Sequence, residues 1–307
     1  MPPPGEKMHI PLVVDQSDCR WQLLAKILKV FELRKTKKII AKFTSQTAIS
    51  RMKVVLTSMF FSTKISYVVE ELKRREDLRE SLGIKEEEVP RTAYIYSFLS
   101  RFDLNDFTAM ILRVLNSITK KRARNTKLIN PSLKPLLFLL HPANRHEAKI
   151  FQEVMDEVKR RRIIRKGDVI IMDKGFYAYR NYLVGMNEYR IVPLIFPRNN
   201  FDIERLDGML SYPLSIFDSK NPYEERRRFK ALKSKLMNLL QRWQEFKAVR
   251  SAIEDVFKLA KSFGLRKLHR YTGRSVYKFA ALNVLLIGIV VALGFREKKV
   301  LQRLAEM

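Results

Sequence analysis

GDVIIMDKGF, residues 167–176, is the stretch on which the fold assignment turns. Val169, Ile170, Ile171 and Met172 form an unbroken apolar run, entered through Gly167 and left through Gly175. A short apolar run bounded in this way predicts a strand buried on both faces. Asp173 follows at the C-terminal lip of that strand, where open α/β sheets place ligands. Asp173 is therefore a candidate working carboxylate, and the rest of the chain must supply its partners.

The flanking segments alternate. KPLLFLLHP (134–142) predicts a strand, and HEAKIFQEVMDEVKRR (146–161) an amphipathic helix with Ile150, Val154 and Val158 on one face. After the central strand, RNYLVGM (180–186) predicts a helical turn and YRIVPLIFP (189–197) a third strand. Strand, helix, strand, helix, strand in that order is an α/β signature. Residues 21–125 read instead as helices throughout. WQLLAKILKVFEL (21–33) has helical spacing, and FFSTKISYVVEELKRREDLRESLG (60–83) reads as one amphipathic helix stopped at Gly83. KEEEVPRTAYIYSFLSRF (85–102) carries Tyr94, Phe98 and Phe102 on one face, and Asp103 predicts an N-cap for DLNDFTAMILRVLNSI (103–118). Residues 1–20 read as a loose, Pro-rich lead-in.

The charge is lopsided. Among 307 residues, 60 Lys and Arg face 32 Asp and Glu, a net charge of +28. A globular chain this basic usually meets a polyanion, nucleic acid first. Hydrophobic residues make up 46%, enough for a sizeable core. Cys19 stands alone, so no intramolecular disulfide forms and no Cys/His cluster has zinc spacing. FAALNVLLIGIVVALGF (279–295) is shorter than the roughly 20 apolar residues of a membrane span and contains Asn283, which favours a core helix. A cytoplasmic, nucleoid-associated protein is expected, with no membrane partner.

A second carboxylate sits in AVRSAIEDVFKLAKSF (248–263). Read as a helix, its core face is Val249, Ile253, Val256, Ala260 and Phe263. Arg250, Glu254, Lys258 and Lys261 fall within about 80° of one another on the opposite face. Such a stripe is, on periodicity alone, an ordinary solvated salt-bridged surface. The surroundings are unusual for that: residues 226–270 hold 14 Lys and Arg against three acids, Glu245, Glu254 and Asp255.

The order of these segments resembles the DDE transposases of insertion sequences. Arg250-x3-Glu254-x6-Lys261 is similar to the R-x3-E-x6-K signature around that family's glutamate, and MDKGF at Asp173 resembles its second-acid motif, D-x-G-[FY]. HPANRHEAKIF (141–151) resembles the family's T-A-N-x-H-D segment, and LHRYTGRSVYKFAALNVLL its C-terminal helical region. The resemblance implies an RNase H-like α/β catalytic domain over 126–307, behind a helical region at 21–125 used for DNA binding or dimerisation. It implies that Asp173 and Glu254 are the second and third acids, binding two Mg²⁺ ions for cleavage and strand transfer at element ends. Arg250, Lys258, Lys261, Lys267 and Arg270 would contact double-stranded DNA, with the protein oligomeric on it.

Two departures follow. Lys247, beside Phe246, stands where the signature has tyrosine. No acid occurs between Asp106 and Glu147, and KLI (127–129) runs straight into Asn130 and Pro131 where the first-acid strand should continue. The block carrying the first aspartate is expected to be absent near residue 130, leaving an incomplete sheet. Asp103 and Asp106 are the nearest upstream acids and read as helix-start residues. The alternative function is a non-catalytic DNA-binding remnant or inhibitor of transposition.

Overall fold

The computed structural model describes residues 18–45, 47–118, 139, 145–211, 220–263 and 273–295. Helices α1 (Cys19–Lys29), α2 (Arg34–Ala41), α3 (Ala48–Phe60), α4 (Ile65–Arg74), α5 (Glu76–Leu82), α6 (Thr92–Arg101) and α7 (Leu104–Ile118) come first. Then follow α8 (Glu147–Arg160), β1 (Val169–Met172), α9 (Tyr179–Asn187), β2 (Val192–Ile195), α10 (Ile203–Met209) and α11 (Pro222–Gln241). The last two helices are α12 (Lys247–Ser262) and α13 (Gly273–Ala292). The chain divides into two compact units, Met1–Phe138 with Ala252–Met307, and Leu139–Ser251.

The first unit is helical among its described residues. The expected single helix over 60–83 is broken twice: Ser62 adopts φ 51°, and Arg75 is extended between α4 and α5. The breaks let Val68, Val69 and Leu72 of α4 and Leu78 and Leu82 of α5 reach the same core. Gly83 ends α5 at φ +58°, a left-handed conformation that favours glycine. Asp103 caps α7, its Oδ1 accepting the N–H groups of Asn105 at 2.8 Å and Asp106 at 3.1 Å. Those N–H groups, Asp106's foremost, hold its carboxyl below the ordinary value.

Helix α13 is long and apolar enough to cross a membrane, yet Ala281, Leu282, Leu285, Leu286, Ile289 and Val290 are fully buried in this core. It packs on α7, α3 and α6. Among the described residues its two buried polar side chains donate to helix ends. Lys278 Nζ donates to the carbonyls of Leu99 and Ser100 at the end of α6. Asn283 Nδ2 donates to Ala260 O at 3.1 Å and Phe263 O at 2.9 Å at the end of α12.

In the second unit, β1 and β2 pair in parallel, Val169 opposite Val192 and Met172 opposite Ile195. Helix α9 supplies the crossover that parallel strands require. Burial on both faces of β1 was expected, but Val169, Ile170 and Ile171 are half-buried and only Met172 is fully buried. Among the described residues β1 has β2 as its sole neighbour strand. The segment KPLLFLLHP, expected to be a strand, lies outside the described residues apart from Leu139. β2 is buried at all four positions. The buried face of α8 is Ile150, Phe151 and Met155, one step round from the expected Ile150, Val154 and Val158. Helix α10 was not expected, although Asp202 caps it by accepting the N–H groups of Glu204 and Arg205.

Lys53 is 2% exposed and donates to Gly83 O at 2.8 Å and to Glu32 Oε1. Burial pushes the Glu32 carboxyl up, but Lys37 and Lys53 together outweigh it and hold the group below its ordinary value of 4.5. A depressed carboxyl contributes stability above its unfolded pKa, and that contribution is lost as pH falls through the folded value. Glu32→Gln should therefore melt below the wild type at neutral pH, with the gap closing as pH falls below 4.5. A gap in thermal midpoint that stays constant from pH 7 to about 3 would contradict this assignment.

Candidate functional site

Asp173 stands exposed at the C-terminal end of β1, where its carbonyl accepts the Phe176 N–H at 3.0 Å and opens a 3-10 turn, Lys174–Phe176. The turn lies directly against the first residue of α8: a Cβ on Gly175 would fall 1.6 Å from Oε2, at the far end of the Glu147 side chain.

Asn181 fixes that contact. It is 6% exposed on α9, and its Nδ2 donates to Ala148 O at 3.0 Å and Phe176 O at 2.7 Å. One buried amide thus ties together the start of α8, the turn after Asp173 and α9. The HPANRHEAKIF and MDKGF segments, separate in sequence, meet at this point. Tyr182, fully buried, donates to Ile195 O at 2.8 Å and anchors α9 to the end of β2. Burial pushes the Tyr182 phenol well up, so it remains a donor. Burial, with Tyr179 alongside, pushes the Tyr177 phenol up to about 12.

Glu254 lies exposed on α12, together with Phe257, Lys258 and Lys261. Phe257 is 60% exposed. Lys258 pairs at 3.5 Å with the neighbouring acid Asp255, which is 1% exposed. On the opposite face Ala260 and Phe263 are buried and Val256 is packed against the core, as the spacing predicts, and Leu259, not among the expected core residues, is buried as well. The side chains of Val249, Arg250 and Ile253 lie outside the described residues, as do Lys267 and Arg270 entirely. Lys247, in the place of the signature's tyrosine, sits over the Trp243 ring at 4.9 Å. Phe246 packs against the second unit's core. Asp173 belongs to one compact unit and Glu254 to the other.

Comparison with protein families matches residues 127–289, more than half of the chain, to the transposase DDE domain. The chain belongs to the DDE transposase family. Comparison with curated proteins and with solved structures gave no match. The matched span contains both Asp173 and Glu254. Family membership carries association with insertion sequences, DNA transposition and recombination, and the family implies DNA as substrate. The family generally uses Mg²⁺. Among the described residues, however, no group of three or more His, Cys, Asp or Glu side chains gathers as a metal site. Those residues do not make up the donor set of a two-metal centre.

Glu147 and Asn181 were not among the residues expected from the sequence. The available signal was a lone amide in the apolar turn NYLVGM, residues 181–186. Asn181→Ala removes two hydrogen bonds and should lower unfolding stability by about 1–3 kcal/mol. Urea unfolding that shows a loss under about 0.5 kcal/mol would rule out Asn181 as the clamp on this turn.

Proposed function

We propose that the chain binds insertion-sequence DNA as a DDE transposase in which Asp173 and Glu254 are the second and third site acids, and that it lacks the first. Cleavage and strand transfer are correspondingly lost. The observation that carries this reading is the family match over 127–289, with Asp173 exposed on the lip of a parallel strand inside it. The catalytic domain is an RNase H-like fold over 126–307 with an incomplete sheet. The helical region 21–125 serves DNA binding or dimerisation, and the protein works as an oligomer at the nucleoid.

The absent acid supports loss of chemistry. No Asp or Glu lies between Asp106 and Glu147, and Asp103 is committed to capping α7. Each carboxylate of such a site concentrates negative charge for a divalent cation, so removing one weakens binding. The chain's own residues then hold DNA without cutting it. The net +11 of residues 226–270, including exposed Arg226, Arg227, Lys230 and Lys261, supplies the affinity. This favours the second reading as well, a remnant that occupies element ends and blocks a full-length partner.

Fluorescence anisotropy over a salt series tests the binding. Six to eight phosphate contacts predict a slope of log K against log salt of about −5 to −7, and a slope shallower than about −2 would exclude this basic surface. Asp173→Asn and Glu254→Gln should leave affinity unchanged or slightly raised, since the acids oppose the DNA charge. Mg²⁺-dependent cutting of element-end DNA by the chain as it stands would contradict the proposed loss of activity.

A further inference from the structure

The lip that carries Asp173 also carries an aromatic cluster that the family motifs leave unexplained. Tyr177 and Tyr179 follow Asp173 on the way into α9, and Phe201 lies in the loop after β2. The Tyr177 and Tyr179 rings meet edge-on at 5.8 Å, and the Tyr179 and Phe201 rings stack at 6.2 Å and 19°. Tyr177 and Phe201 also meet edge-on at 6.1 Å. The cluster is fixed in place: the Tyr179 hydroxyl accepts the Asp202 N–H at 2.9 Å and lies 3.3 Å from the Asp202 carbonyl.

Two exposed arginines lie on these rings. The Arg198 guanidinium is 5.9 Å from the centre of the Tyr177 ring, and that of Arg205 is 5.0 Å from the centre of the Tyr179 ring. The one hydrogen bond from either guanidinium to the described protein is Arg198 Nε to Lys174 O at 3.3 Å. Among the described residues neither pairs with a carboxylate, unlike Arg160 with Glu157, Arg228 with Glu224 and Arg242 with Glu245. Of the acids near Arg205 in sequence, Asp202 already accepts two backbone N–H groups, at 2.9 and 3.0 Å, Asp207 pairs with Lys233 at 3.0 Å, and the adjacent Glu204 forms no ion pair among the described residues.

An aromatic ring under a guanidinium orders its plane and leaves the N–H fork at the rim available. Such a fork matches phosphate oxygens in bidentate geometry, and its ordering reduces the entropy lost on binding. Charge of this kind is also what a strand needs in order to approach Asp173. We propose that Arg198 and Arg205, held on the Tyr177–Tyr179–Phe201 cluster, form a phosphate clamp for one DNA strand at the lip beside Asp173. The proposal rests on the DNA-binding function argued above, and adds where a strand runs and which groups hold it.

The test is anisotropy on the full chain with a labelled duplex bearing a single-stranded overhang, over a salt series. Relative to the wild type, Arg198→Ala with Arg205→Ala should weaken binding by about tenfold or more and flatten the log–log salt slope by about 2, one unit per phosphate released. Both side chains are exposed, so the thermal midpoint should hold. Arg198→Lys with Arg205→Lys keeps the charge but not the fork, and should recover the slope while recovering only part of the affinity. Tyr179→Leu, with both arginines in place, should weaken binding several-fold.

Wild-type DNA binding together with unchanged affinity and slope in the double alanine variant would overturn the clamp and leave the function intact. Full recovery by the lysine pair would overturn the role of the aromatic-held forks. A wild type that binds no DNA would overturn the clamp and the function together.

Discussion

A backbone carbonyl buried without a donor costs about 1–3 kcal/mol, and this chain repeatedly ends helices inside apolar surroundings. The last carbonyls of a helix have no partner within it, so each buried end needs a donor from elsewhere. Lys53 supplies one at Gly83, Lys278 supplies them at Leu99 and Ser100, and Asn283 supplies them at Ala260 and Phe263. These side chains are themselves buried, and a lysine also carries positive charge to the negative end of a helix. The packing of the first unit depends on this matching of donors to helix ends. It explains why a 20-residue apolar helix, α13, holds a lysine and an asparagine in its buried stretch.

The same device recurs in the second unit with a different result. There Asn181 and Tyr182, adjacent on α9, donate to the turn after β1, to the first turn of α8 and to the end of β2. Four segments are thereby fixed around the lip of the parallel pair, and Asp173 stands at that lip without being buried. The exposed acid, the turn glycine beside Glu147 and the arginines on their aromatic rings all lie on that small framework. A framework of this kind holds a carboxylate and cations side by side, as a surface that handles a phosphodiester backbone requires.

What could be read from the sequence was local. The apolar run before Asp173, the period of α12, the cap at Asp103 and the stop at Gly83 depend on residues within a turn or two of one another. The family resemblance likewise rests on the order of short motifs. What could not be read depends on distant partners. The half-burial of β1 depends on what covers its faces, and the breaks around α4 let two helices share one core. Asn181 is invisible to periodicity because its acceptors lie 33 residues before it and five residues before it. Glu254 falls on the predicted exposed stripe, but exposure is common to a solvated salt-bridged face and a working acid.

The proposed function requires Asp173 and Glu254 to serve one site. An experimental structure of the chain bound to DNA tests it most directly. Metal ions in two-metal sites lie about 3.5–4 Å apart, so carboxylates serving one such site are expected within about 10 Å of each other, facing the same strand. Glu254 well beyond that separation, or turned from the lip that carries Asp173, would leave it as a residue of an ordinary solvated helix face and contradict the account.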